Sequence, residues 1–161
     1  MPALRLSISA ADLARRLKER LRGDPPTTAT HVVWQRDGDS VLVNTDSLTV
    51  RLLEGWLLCN LDLQTDQTGR QTLQFIYFLG KTGEGDSLQA ACTINAVTPG
   101  ASQIAAAWGE DLQRVLWDAV LDAIELLVYH AESLKRGTPI TLGGFHCTAD
   151  AIVVDLLAGG R

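Results

Sequence analysis

The sequence contains one adjacent pair of reactive side chains, His146-Cys147, which follows Gly143-Gly144. A cysteine attacks as the thiolate, and a nearby imidazole favours that form by lowering the pKa of the thiol. Residues adjacent on a strand point to opposite faces, so His146 is poorly placed to activate Cys147, and His130 would have to take that role. The pair therefore indicates either a thiol-dependent site completed by His130 or a buried cysteine in a hairpin.

Metal ligation has little support in the sequence. The three histidines and three cysteines show none of the short paired spacings of a zinc site. Asp118, Asp122 and Glu125 form a carboxylate stripe on a predicted helix, and such a stripe binds Mg²⁺ only when a second acidic element faces it. Gly80-Lys81-Thr82 lacks the upstream glycine and the following helix of a phosphate-binding loop. We predict no metal and no cofactor, and we place any small-ligand contacts at His130, His146 and Cys147.

The first 23 residues carry six Lys or Arg against two acidic residues, whereas the whole chain has a net charge of -5. Arg15, Arg16, Lys18 and Arg20 lie on the outer face of a predicted helix, which favours an acidic partner or a solvated face. An acidic chain argues against nucleic-acid binding. Two alanines and three leucines make the apolar face of this helix too small to hold a membrane.

These residues are positioned by two predicted helices and a run of strands. Ser9 has the chemistry of an N-cap, and apolar residues at helical spacing up to Leu21, with Gly23 beyond, predict a helix over 10–22. The segment Thr27 to Val97 predicts consecutive strands joined by short turns, of which Asp37-Gly38 is the clearest. This pattern is typical of an antiparallel meander.

Two strand patterns lead to more specific expectations. In the strand around Leu73 to Leu79, Ile76 and Phe78 make the second face apolar, which predicts burial on both sides near the end of the strand. Near the C-terminus, Gly143-Gly144 has the chemistry of a two-residue turn, which predicts a hairpin between Ile140–Leu142 and Phe145–Leu157.

The long helix predicted from Gln103 to Lys135, with Gly109 as a possible division, is apolar around roughly 240° of its surface. One sheet face cannot cover that arc, so a second cover is needed. Helix 10–22, the C-terminal hairpin or a second copy of the chain can supply it. For a homodimer we expect the contact on the flank that carries Trp117, Leu121, Ile124 and Val128.

The 161 residues predict a single α+β domain over 1–161. It comprises an antiparallel β-meander of five to six strands packed by one long helix, with a short N-terminal helix and a C-terminal hairpin. An odd, sparse set of cysteines and the lack of an apolar leader favour the cytoplasm. The favoured function is a non-enzymatic interaction module that self-associates through the long helix. The alternative is a small-ligand-binding protein or thiol-dependent enzyme with a pocket between sheet and long helix.

Overall fold

A computed structural model describes residues 4–23, 28–79, 92–134 and 139–158 of the chain. Two helices and two antiparallel sheets make up these residues, and the five-stranded sheet has the strand order β2-β3-β4-β5-β6 while the three-stranded sheet has the order β1-β8-β7. The elements in chain order are β1 (Leu4–Ser9), α1 (Ala10–Leu21), β2 (His31–Arg36), β3 (Asp39–Leu53), β4 (Trp56–Thr65), β5 (Gly69–Phe78), β6 (Cys92–Ala96), α2 (Ala101–Leu134), β7 (Ile140–Cys147) and β8 (Ala151–Ala158). The predicted α+β class, the meander and the C-terminal hairpin are confirmed.

The helix α1 begins and ends where its sequence indicates. The backbone N–H of Asp12 donates to Ser9 Oγ at 3.1 Å, which satisfies one of the free donors of the first turn. Gly23 has φ of 110°, the left-handed conformation that commonly follows a helix. Leu13, Leu17 and Leu21 are buried, so α1 contributes one apolar stripe to the core.

The five-stranded sheet is a meander because each strand pairs with the next along the chain. Asp37 and Gly38 both have positive φ, as expected of the predicted tight turn. Strand β3 is continuous but contains a bulge between Asn44 and Thr49. Ser47 Oγ holds this bulge by donating to Asn44 O and accepting from the backbone N–H of Asp62.

The C-terminal hairpin exists, but the prediction that Gly143-Gly144 forms its turn is wrong. Both glycines lie inside β7, where the pairing with β8 shifts register between Leu142 and Gly144. A Cβ at Gly143 would lie 3.0 Å from Leu157 Cγ, so this position allows a close approach to the neighbouring strand. The turn itself lies at residues 148–150. A glycine pair in a strand marks a bulge as readily as a turn.

The helix α2 continues without a break through Gly109. A Cβ at this position would lie 3.0 Å from Ile94 Cδ1 of β6, so the glycine allows the helix to approach the sheet closely. Both helices and both sheets contribute to one apolar core cluster. Neither described helix combines the length and the hydropathy that a bilayer-spanning helix needs.

Candidate functional site

Cys147 lies at the junction between the two sheets. Its backbone N–H donates to Leu79 O at 2.8 Å, and its carbonyl oxygen accepts from the N–H of Gly55 at 3.0 Å. Leu79 N–H in turn donates to Gly55 O at 2.8 Å. The side chain of Cys147 is only 1% exposed. The residue therefore joins the sheets through its backbone and fills the core with its thiol.

The three predicted ligand contacts are not brought together. His146 pairs with Val153 across the strand and is half-buried, whereas the adjacent Cys147 points into the core, as alternation on a strand requires. His130 is exposed on α2. Within the described residues, no hydrogen bond or ion pair joins any two of these side chains.

The buried cysteines have an environment that disfavours the thiolate. Burial raises the pKa of Cys147 to about 12, with a further contribution from the charge of Glu54. Burial also raises the pKa of Cys59 and that of Cys92. Because a nucleophilic cysteine needs a lowered pKa, these thiols suit packing and not attack on a substrate.

The acidic and basic side chains of the helices are used largely in internal ion pairs. Arg15 and Arg16 both contact Asp12, Arg15 also contacts Glu19 at 3.1 Å, and Arg20 contacts Asp122 of α2. Of the four predicted contacts for an acidic partner, these three are therefore paired, and Lys18 makes no ion pair to a described residue. No group of three or more potential metal ligands converges in the described parts of the chain.

A cleft of about 270 Å³ lies where two turns of the five-stranded sheet meet the first turns of α2. Its lining is mostly polar, and neither His130 nor Cys147 belongs to it. The indole of Trp108 lies in its wall, and the guanidinium of Arg36 stacks over that ring at 4.6 Å from the centroid. Arg36 also contacts Asp111, so it fixes the β2 end of the sheet to α2.

The predicted contact flank of α2 is partly covered within the chain. Trp117 is buried and stacks on Tyr77 with ring centroids 5.6 Å apart, and Phe145 of β7 lies 6.3 Å from it on a tilted plane. Ile124 is also buried, whereas Leu121 and Val128 are half-buried. Further along the helix, Leu126 and Tyr129 are 51% and 70% exposed while Ala131 is buried, so only part of the apolar arc is covered there.

One end of the five-stranded sheet carries two exposed aromatic residues that were not predicted to form a surface pair. Trp56 and Phe78 are 42% and 43% exposed and lie edge to face with ring centroids 5.0 Å apart. The prediction that β5 is buried on both sides near its end is therefore wrong, because Phe78 is exposed and Ile76 half-buried. The apolar second face at Ile76 and Phe78 was the available signal, and it indicated a surface that needs a cover but not whether the chain supplies one.

Gly80-Lys81-Thr82 lies outside the described residues. No family model fits the chain, and no curated protein is significantly similar to it.

Proposed function

We propose that this chain is a non-enzymatic interaction module that self-associates through the C-terminal half of α2. The observation that carries the proposal is the exposure of Leu126 and Tyr129 on a helix whose large upstream apolar side chains are buried or half-buried. Residues three apart share a helix face, so these two side chains form one apolar surface. Neighbouring exposed apolar residues mark contact sites, and tyrosine is enriched among the residues that dominate binding energy.

The α2 patch comprises these two exposed residues and the half-buried residues left on the predicted flank, namely Leu121, Leu126, Val128 and Tyr129. A two-fold pair of copies places the same patch on both sides of the contact. Glu125 is exposed and precedes Tyr129 by four residues on the same helix face, so its carboxylate lies within the patch and two copies also bring like charges close together. Salt screens that repulsion, and the dimer should therefore strengthen as the salt concentration rises.

Sedimentation equilibrium at several protein concentrations tests this proposal. We expect the wild type to approach the dimer mass and Tyr129→Asp to remain a monomer, because the variant replaces an apolar contact with a further negative charge beside Glu125. Val97→Asp is a matched control, since Val97 is also an exposed apolar residue but lies outside α2. A wild type that stays monomeric at high concentration and high salt would refute self-association.

The small-ligand alternative is favoured by the 270 Å³ cleft beside Trp108. Native mass spectrometry of the purified protein distinguishes the two functions, since it reports subunit number and any retained mass in one spectrum. A monomer with a stable adduct supports the small-ligand function, and a dimer without one supports the interaction module.

The proposal extends to location and to a second contact. Three unpaired cysteines suit the reducing cytoplasm, where disulfides are rare. An acidic partner for α1 would contact Lys18 first, because Arg15, Arg16 and Arg20 would have to exchange their internal carboxylates for those of the partner. Reversing the charge at Lys18 should therefore weaken such a contact more than reversing it at Arg15.

A further inference from the structure

Strand β2 forms one edge of the five-stranded sheet, where it pairs with β3 and with no other described strand. The two-residue turn at Asp37-Gly38 makes Arg36 and Asp39 a hydrogen-bonded pair. Hydrogen-bonded and non-hydrogen-bonded pairs alternate along an antiparallel ladder, so the even-numbered residues of β2 bond to β3. The hydrogen bond from Thr45 N–H to Thr30 O, at 2.8 Å, continues this alternation beyond the start of the strand.

The backbone groups of the odd-numbered residues point the other way. We call the N–H and C=O groups of His31, Val33 and Gln35 the edge groups, since they point away from β3. Within the parts of the chain that the structure describes, none of them has a hydrogen-bond partner. The three side chains are exposed, and Val33 is 58% exposed. An edge of this kind is a template on which another strand can pair.

The edge lacks the features that usually keep a strand from pairing with another chain. Natural edge strands carry lysine, proline, inward-pointing charges or a bulge. From His31 to Gln35 the sequence has no proline and no Lys, Arg, Asp or Glu, and the register with β3 is unbroken. An exposed valine lies at the centre of this segment, so the chemistry of the edge favours pairing.

We propose that β2 pairs antiparallel with β2 of a second copy of the chain, about a two-fold axis at Val33. Val33 then lies opposite Val33 of the other copy, and His31 lies opposite Gln35. All the edge groups of both copies find partners, which gives about six hydrogen bonds and joins the two five-stranded sheets into one. A shift of the register by two residues would leave part of the edge unpaired.

The side chains of this register support a second copy as the occupant. On the face towards the core, Val32 lies opposite Trp34 of the other copy, and both residues are half-buried at the margin of the apolar core. Pairing brings the two margins together, and aromatic residues opposite β-branched residues stabilise a sheet. Arg36 lies opposite Thr30, so the register places no like charges directly opposite each other.

This contact is separate from the proposed contact through α2, because Val33 lies on a sheet edge and Tyr129 on the helix. Two short paired strands bury few side chains, so we expect the β2 contact to be the weaker of the two and to form at higher protein concentration. A chain with two different two-fold contacts can assemble beyond the dimer.

Disulfide trapping tests both the contact and its register, since a cross-link captures a weak contact. Every variant carries Tyr129→Asp, which removes the α2 contact from the comparison. Val33→Cys faces its counterpart at a Cα separation of about 5.5 Å, which a disulfide spans. Gln35→Cys is the matched control, because it is exposed on the same edge but lies about 14 Å from its counterpart. On mild oxidation of concentrated protein, Val33→Cys should form covalent dimers at least about tenfold faster than Gln35→Cys.

A double variant tests the register from a second position. His31→Cys and Gln35→Cys should not cross-link as single variants, but together they lie opposite each other and should cross-link as Val33→Cys does. The Tyr129→Asp parent gives the background from the native cysteines.

Three results would overturn the proposal. Equal cross-linking of Val33→Cys and Gln35→Cys would indicate random collision. No cross-linking above the parent would show that the edges do not meet. Cross-linking of Val33→Cys without the double variant would indicate a contact other than a strand pair. None of these results bears on self-association through α2, because Tyr129 is replaced in every protein compared.

Discussion

At the scale of single residues, Cys147 shows that a reactive type of side chain can have a purely structural role. Its sequence neighbours suggest an activated nucleophile, but its thiol is buried and protonated and its backbone groups connect the two sheets. The environment that decides between these roles comes from Gly55 and Leu79, which are distant in sequence. A reactive residue type therefore carries little functional information until its burial is known.

Asp62 should make the stability of the fold depend on pH. Partial burial alone would raise the pKa of Asp62, but hydrogen bonds from Thr72 and Arg70 outweigh it and hold the pKa below its ordinary value. A lowered pKa in the folded state means that the ionised carboxylate stabilises the fold above the ordinary aspartate pKa of about 4, and that this stabilisation is lost as the pH falls through the folded value. Asp62→Asn should therefore lower the free energy of unfolding by about 1 kcal/mol near neutral pH.

Urea unfolding of the wild type and Asp62→Asn, at neutral pH and again well below the aspartate pKa, measures this effect. The difference between the two proteins should shrink in acid, because the wild-type carboxylate is then protonated too. Asp66→Asn is the control, since Asp66 is exposed in the β4–β5 turn and makes no ion pair with a described residue. If the two proteins differ equally in the free energy of unfolding at both pH values, the ionised form of Asp62 does not stabilise the fold.

The exposure of individual surface residues was predictable only in part. Alternation in β4 correctly separates the inward Leu57 from the outward Asn60, because a strand has a fixed period of two. Alternation does not show whether an outward apolar residue such as Phe78 is covered, since that depends on elements elsewhere in the chain. The exposure of Trp56 could therefore be obtained only from the three-dimensional arrangement.

At the scale of elements, α2 shows why a glycine inside a helix need not divide it. Gly109 is buried against β6, where a Cβ would lie 3.0 Å from Ile94 Cδ1. We expect Gly109→Val to destabilise the fold by about 1–3 kcal/mol, because the larger side chain must push α2 from the sheet. Thermal or urea unfolding measures the loss.

Replacing Ile94 with a smaller residue tests the cause. If the clash with Ile94 is responsible, the double variant Gly109→Val with Ile94→Ala should lose less stability than the sum of the two single losses. Additive losses would mean that Ile94 is not the group that valine meets, since valine is a better helix former than glycine and helix propensity cannot account for the loss. Gly143 is a similar case. It was predicted to lie in a turn, but it lies within β7, where the absence of a side chain allows a close approach to Leu157.

Most elements were predictable because their signals are local. Residues close together in the sequence are enough to predict the cap at Ser9, the turn at Asp37-Gly38 and the alternation of β4. The bulge in β3 was not, because it depends on Ser47 Oγ meeting the backbone of Asp62 on the neighbouring strand. Errors in the elements thus occur where long-range contacts override a local pattern.

At the scale of the whole molecule, β1 pairs with β8 over its full length, so the two ends of the described chain share one sheet. Ile8 lies opposite Ile152, and both are buried. Ile8→Ala should lower the free energy of unfolding by about 2–5 kcal/mol, because it removes buried methylene groups and leaves a cavity. Ser7→Ala, an exposed neighbour on the same strand, should have a far smaller effect.

The hydrogen bonds among Gly55, Leu79 and Cys147 connect the sheets, so we expect both sheets to unfold together in Ile8→Ala. Urea curves recorded by tryptophan fluorescence and by far-UV circular dichroism should therefore have the same midpoint. Separate midpoints would show that the three-stranded sheet unfolds by itself. The pairing of β1 could not be predicted from the sequence, because nothing local identifies a partner more than 140 residues away.

The pairing of β1 with β8 also has a consequence for synthesis on the ribosome. Strand β1 emerges before the other described elements, but its partner β8 emerges only after they have been translated. Until then, Leu4, Leu6 and Ile8 have no neighbouring strand to bury them, and chains grow by about 5–20 residues per second. A nascent chain of this protein therefore presents an unpaired apolar strand for several seconds, a period in which chaperones that recognise extended segments would find it accessible.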